Sequence, residues 1–134
     1  MLQIKKRKDG KTGRRFMATI CFYQDSRHEE TLFWIQKILR TGYVSRRNDH
    51  MTELRINGFK QVEIILKLLL PFIRFKKIQA KTLCRAVQLL QKKNLFVQDY
   101  KKLVAYILCI QQENYVARKK KSEKELFDVL GLTP

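Results

Sequence analysis

Lys76 is the residue of this sequence best placed to do chemistry. It lies in the stretch Leu-Leu-Leu-Pro-Phe-Ile-Arg-Phe-Lys-Lys-Ile-Gln-Ala, from Leu68 to Ala80. Pro71 lacks the amide proton a helix interior needs, so a helix ending near Leu70 turns there and a second starts around Lys76 or Lys77. Apolar residues are expected to hold this joint against a core while Arg74, Lys76 and Lys77 point elsewhere. A lysine fixed between Phe75 and Ile78 could stabilise charge on a phosphate. Other reactive types read more plainly. His28 and His50 fall at a helix start and in a hairpin turn, as surface histidines do. Asp25, Glu29 and Glu30 cluster at a helix start, where the dipole alone favours acids over any metal role. Cys21, Cys84 and Cys109 are far apart and odd in number, with no Cys-x-x-Cys or His-x-x-x-His spacing. That pattern fits buried free thiols in a reducing compartment better than zinc. No hydrolase triad, phosphate loop or EF-hand pattern is present.

The 134 residues suit one domain with a real core, and 45% hydrophobic content argues against disorder throughout. Lys plus Arg total 29 against 12 for Asp plus Glu, a net charge of +17. That excess implies a polyanionic partner. A generic basic protein, such as a ribosomal one, accounts for the charge but not for the patterning described next. The apolar run Ile64–Leu70 contains Lys67 and stops at Pro71, too short to span a bilayer. The first residues read as a strand entering a charged turn, not as a targeting helix.

The elements that must position Lys76 follow from periodicity. Leu2 to Lys8 alternates, the glycines of 9–13 form a turn, and Arg15 to Tyr23 alternates again, giving a β-hairpin. Asp25 or Ser26 can cap a helix carrying Leu32, Phe33, Ile35, Ile38 and Leu39, which Gly42 ends. Gly42–Arg47, a turn at 48–50 and Met51–Asn57 make a second hairpin. Helices follow over roughly Gly58–Leu70, Lys76–Gln91 and Gln98–Gln112. After the basic stretch 118–121, Ser122 with Glu125 forms a capping box for a short terminal helix. The order ββαββαα predicts an α+β fold: an antiparallel sheet of two hairpins with helices packed on one face. Residues 1–112 would form the domain and 113–134 a basic C-terminal extension.

Such a sheet leaves its other face open. That face would hold Gln3, Lys5, Arg7, Arg15, Thr19, Arg47, Glu53, Arg55 and Asn57. These are the side-chain types that read base edges in a major groove, which admits a two-stranded ribbon. Lys11, Lys119 and Lys120, in turns and linkers, would contact phosphates and supply affinity.

These residues resemble the LAGLIDADG homing endonucleases, especially the single-motif homodimeric enzymes encoded in algal chloroplast introns. Gln3-Ile4-Lys5 resembles the start of the family's first DNA-reading strand, and Phe22-Tyr23-Gln24 the end of the second. Gly42-Tyr43-Val44 opens the second hairpin, and the joint from Pro71 to Ala80 places the family's lysine at Lys76. Residues 118–123 resemble the C-terminal loop and final helix that clamp the DNA backbone. Arg27 or His28 approximates the family's arginine at the start of the first long helix, with one residue inserted. The resemblance implies Mg²⁺-dependent phosphodiester hydrolysis of double-stranded DNA by a homodimer. Gln24 would position water and Lys76 would support transition-state charge. The family's name motif, a helix ending in a metal-binding acid, would precede Met1, and no segment reads as Leu-Ala-Gly-x-x-Asp-x-Asp-Gly. The expectation is therefore a LAGLIDADG-like fold minus its first helix, with no metal ligand in this chain. It is either a piece of a longer reading frame or a decayed endonuclease that binds DNA. A non-cleaving nucleic-acid-binding remnant or a maturase-like RNA splicing helper is the alternative. The family suggests an organelle, chloroplast or mitochondrion, or a bacterial-type cytoplasm.

Overall fold

The computed structural model describes residues 1–8, 13–114 and 120–133. Their elements are β1 (Leu2–Lys6), β2 (Arg14–Asp25), a 3-10 turn (Ser26–His28), α1 (Glu30–Leu39), β3 (Tyr43–Arg46), β4 (Met51–Asn57), α2 (Phe59–Leu69), α3 (Lys77–Leu90), α4 (Val97–Gln112) and α5 (Glu123–Leu130). The α+β fold expected from the pattern is the one observed.

The four strands form one antiparallel sheet in the order β1-β2-β4-β3. Leu2 pairs with Ala18, Ile20 with Ile56, and Val44 with Leu54. Because side chains alternate along a strand, this register puts Leu2, Ala18, Ile20, Leu54 and Ile56 on one face. Leu54 and Ile56 are fully buried there. Each contributes about 1.5–3 kcal/mol relative to exposure. Val62, Val87, Leu103, Val104 and Ile107 from α2, α3 and α4 pack into one core with Leu2, Ala18 and Ile56. Leu126 and Phe127 of α5 belong to it as well, so residues beyond 113 contribute to packing. The Ser122–Glu125 capping box forms as expected, the Ser122 amide donating to the Glu125 carboxylate at 2.6 Å.

Four local expectations change. The helix after β2 begins at Glu30, because Asp25 caps the short 3-10 turn instead, accepting from the Arg27 amide at 2.9 Å. Gly42 is not the residue that ends α1. Arg40 does so in the left-handed region, φ 52°, its amide donating to the Gln36 carbonyl. Gly42 instead lets β3 approach β4 closely. At the Pro71 joint, Ile73 packs on the core, but Phe72 is 80% and Phe75 85% exposed. Lys76 is therefore not sandwiched in an apolar pocket; it is an exposed residue at φ 59° preceding α3. Finally, β1 stops at Lys6, two residues short of the expected Lys8, although the Arg7 amide still donates to the Gly13 carbonyl at 2.6 Å. Residues 9–12, including Lys11, lie outside the described residues, as does Lys119.

Candidate nucleic-acid interface

The sheet face opposite the helices is built by the other half of the alternation. β1 contributes Gln3 and Lys5, with Arg7 just beyond its end. β2 contributes Arg15, Met17, Thr19, Cys21 and Tyr23, and β4 contributes Glu53, Arg55 and Asn57. The register aligns Lys5 with Arg15, Thr19 with Asn57, Cys21 with Arg55 and Tyr43, and Tyr23 with Glu53 and Ser45. Two cations directly opposite, as at Lys5 and Arg15, oppose folding when no anion lies between them. Sites that break a local rule in this way are where function is to be sought.

Two of the expected contact residues lie on this face without being exposed. Thr19 is 1% exposed and donates its hydroxyl to Asn57 Oδ1 at 2.9 Å. Glu53 is 6% exposed, with Oε1 at 2.7 Å from Arg55 Nη2 and Oε2 at 3.8 Å from Arg47 Nη1. Arg47 also meets Asp49 at 2.9 Å and lies over the Tyr23 ring, 5.5 Å from its centroid. The buried carboxylate thus ties the guanidinium of Arg55 on β4 and that of Arg47, one residue past β3, into one cluster. Tyr23, Tyr43 and Ser45 share the face and were not among the expected contacts; continuing the alternation of β2 by one step reaches Tyr23. Burial and the neighbouring Cys21 raise the Tyr23 phenol above its ordinary value, so it stays protonated near neutrality.

The acidic cluster at the start of α1 resolves into local pairs. Asp25 meets Arg27 at 2.9 Å. Glu29 accepts from Arg46 Nε at 2.9 Å and from the Thr52 hydroxyl at 2.8 Å. Hydrogen bonds from Arg46 and Thr52 hold the Glu29 carboxyl down at about 2. All three cysteines are free thiols, Cys84 buried and Cys21 and Cys109 partly so. Among the described residues no three His, Cys, Asp or Glu side chains converge as a metal site would require.

The two residues considered for catalysis sit at different places. Gln24 is the next-to-last residue of β2, pairs with Thr52, and falls on the helix side of the sheet by alternation. Burial lowers the Met1 amine to about 6, with a smaller contribution from the charge of Lys76, and that amine donates to the Thr19 carbonyl at 2.6 Å. Gln24 and Lys76 share no hydrogen bond. Lys120 is exposed at the entry to α5. No helix of the described residues is long and apolar enough to cross a membrane.

No family model matches the chain. A curated relative, the DNA endonuclease I-CvuI of Chlorella vulgaris, is 32% identical over 86 residues, which are 64% of this chain and 53% of that protein. The match thus spans about half the relative's length. The structure of I-CvuI in complex with its target and calcium superposes with a TM-score of 0.73 at 26% identity, covering 99% of this chain and 86% of that one. I-CvuI on the I-CreI target with magnesium, its DNA uncleaved, gives 0.79 at 24% identity, over 97% and 82% of the two chains. The archaeal intron-encoded endonuclease I-Vdi141I, complexed with DNA, gives 0.81 at 18% identity, over 97% and 84%. This chain is a homologue of the I-CvuI homing endonuclease, and its fold is that of the LAGLIDADG homing endonucleases.

Proposed function

We propose that this chain binds double-stranded DNA in the major groove through the outer face of its sheet, as part of an intron-encoded homing endonuclease. The observation that carries the reading is the face itself, where Lys5 on β1 and Arg15 on β2 oppose each other, Arg55 and Asn57 continue it on β4, and Arg47 follows one residue beyond β3. Its similarity to I-CvuI, which has been crystallised on DNA, supports the same reading. Lys5, Arg7 and Arg15 would serve phosphates, with Lys119 and Lys120 doing so from the segment before α5. Gln3, Arg47, Arg55 and Asn57 would face bases. A selection from random duplexes by the full chain tests this. An extended enriched sequence is expected; a pool that stays random after several rounds defeats the reading.

For cleavage, we assign Gln24 to orienting the attacking water and Lys76 to stabilising charge at the phosphate. Divalent ions accompany the relatives' complexes, and magnesium is the proposed cofactor. Among the described residues no cluster of three His, Cys, Asp or Glu supplies its ligands. In a preparation that cuts DNA, Lys76→Ala should lower the single-turnover rate by roughly 10²–10³ while largely sparing binding. An unchanged rate would move that role to another residue. The exposed Phe72 and Phe75 support a covered surface in the assembled protein, and a second copy of this chain is the occupant we propose. The algal relative and the free thiols support an organellar setting.

A further inference from the structure

We propose that β4 offers its groove only hydrogen-bond donors at Asn57 and Arg55, and so selects guanine at the base pairs they face, with Thr19 and Glu53 acting as positioning residues. The proposal rests on the DNA-binding reading and names what that face should prefer.

A free asparagine can turn its amide to give one donor and one acceptor, which is the match for adenine N6 and N7. Asn57 Oδ1 is taken by the hydroxyl of Thr19, at 2.9 Å, and Thr19 is 1% exposed. Turning the Asn57 amide would leave the buried Thr19 hydroxyl proton without its acceptor, which disfavours that freedom. This orientation turns Nδ2, a donor, away from Thr19 and makes it the end we assign to the base. Guanine presents two acceptors in the major groove, N7 and O6, and is the purine such a donor end fits.

Arg55 reaches the same outcome by another route. A carboxylate on a reading face would ordinarily take the amino group of cytosine. Glu53 cannot, because its Oε1 is held by Arg55 Nη2 at 2.7 Å and its Oε2 is covered, with no hydrogen-bond partner. Arg55 Nε is also covered and without an acceptor. Contact must come through the terminal guanidinium nitrogens, again as donors, and guanine again accepts. Asn57 and Arg55 are two residues apart on one face, about 6.6 Å along the strand. That spacing is about two base-pair steps of 3.4 Å, so the expected pattern is two guanines separated by about one base pair.

The test uses the full chain, a duplex obtained by selection, and single-base-pair substitutions in it. At the position lost on Asn57→Ala, wild type should bind guanine about tenfold tighter than adenine. Thr19→Val keeps the shape but removes the donor, freeing the amide to turn, and should bring that ratio within about threefold. Thr19→Ser restores the hydroxyl and should restore the ratio. Glu53→Gln should flatten the preference at the Arg55 position in the same way. The ratio is internal to each variant, so a folding defect that weakens both duplexes alike leaves it unmoved. Adenine preferred by wild type, or a guanine preference that survives Thr19→Val, overturns the proposal while leaving DNA reading intact. A wild-type chain that selects no sequence overturns the DNA-reading function, and the donor row with it.

Discussion

Affinity for duplex DNA should fall by roughly 10³–10⁵ between about 50 and 200 mM monovalent salt, the loss expected of six to ten phosphate contacts. The size follows from charge that the fold leaves unopposed. The chain carries 29 Lys and Arg against 12 Asp and Glu. Among the described residues, Arg27, Arg46, Arg47, Arg55, Lys67 and Lys92 are some of the cations already held in ion pairs. Lys5 and Arg15 instead sit directly across from each other. A cation that displays its full charge to DNA releases a counterion on binding; one already neutralised by a buried carboxylate releases little. Lys5→Ala and Arg15→Ala should therefore each reduce the log–log salt slope by about 0.9. Arg55→Ala should leave the slope nearly unchanged and act at a restricted set of base pairs. Anisotropy titrations across the salt range measure both. A flat profile, or equal slope changes for Arg15 and Arg55, would remove the division between phosphate-binding and base-reading cations.

The parts of this fold that depend on short-range pattern are legible in the sequence. The strand Met51–Asn57 has its observed bounds, because Leu54 and Ile56 alternate with Glu53 and Arg55 against a single buried face. The Ser122–Glu125 box is readable because capping is settled within one turn. The same alternation puts Gln3, Lys5, Arg15, Thr19, Glu53, Arg55 and Asn57 on one face, as the strand register does. What alternation does not give is depth. Thr19 and Glu53 stand on an open face, and a sequence reading leaves them exposed. Their burial comes from neighbours supplied by other strands, Asn57 for Thr19 and Arg47 of the β3 hairpin for Glu53. The joint failed for a related reason. Phe72 and Phe75 are apolar in type, so they read as anchors, yet only Ile73 turns toward the core. Gly42 was misread because a glycine after a helix has two uses, a left-handed cap or a close approach, and only cross-strand geometry separates them.

That geometry makes Gly42→Ala the single-methyl change expected to cost most stability. Gly42 has φ 88°, where an L side chain is strained, at about 1–2 kcal/mol. A Cβ there would stand 2.9 Å from the Arg55 carbonyl oxygen, 3.0 Å from Ile56 Cγ1 and 3.0 Å from Leu54 Cδ1. The oxygen is backbone in a paired strand, and both side chains are fully buried, so none can yield freely. Overpacking of this kind adds about 1–3 kcal/mol. The sum, roughly 2–5 kcal/mol, is a large fraction of the 5–15 kcal/mol that holds a typical domain together. Gly131→Ala is the control, since it has φ 68° but nothing within 4 Å of its Cβ. It should cost only the backbone part. Urea denaturation of both variants isolates the steric term as their difference; equal costs would mean that β3 shifts to make room. The clash falls on the backbone of Arg55, so a Gly42→Ala chain that still folds should hold that guanidinium out of register. Its discrimination at the Arg55 base pair should then weaken more than its non-specific affinity, because the cations of the β1–β2 hairpin proposed to meet phosphates lie on the other side of the sheet order from β3.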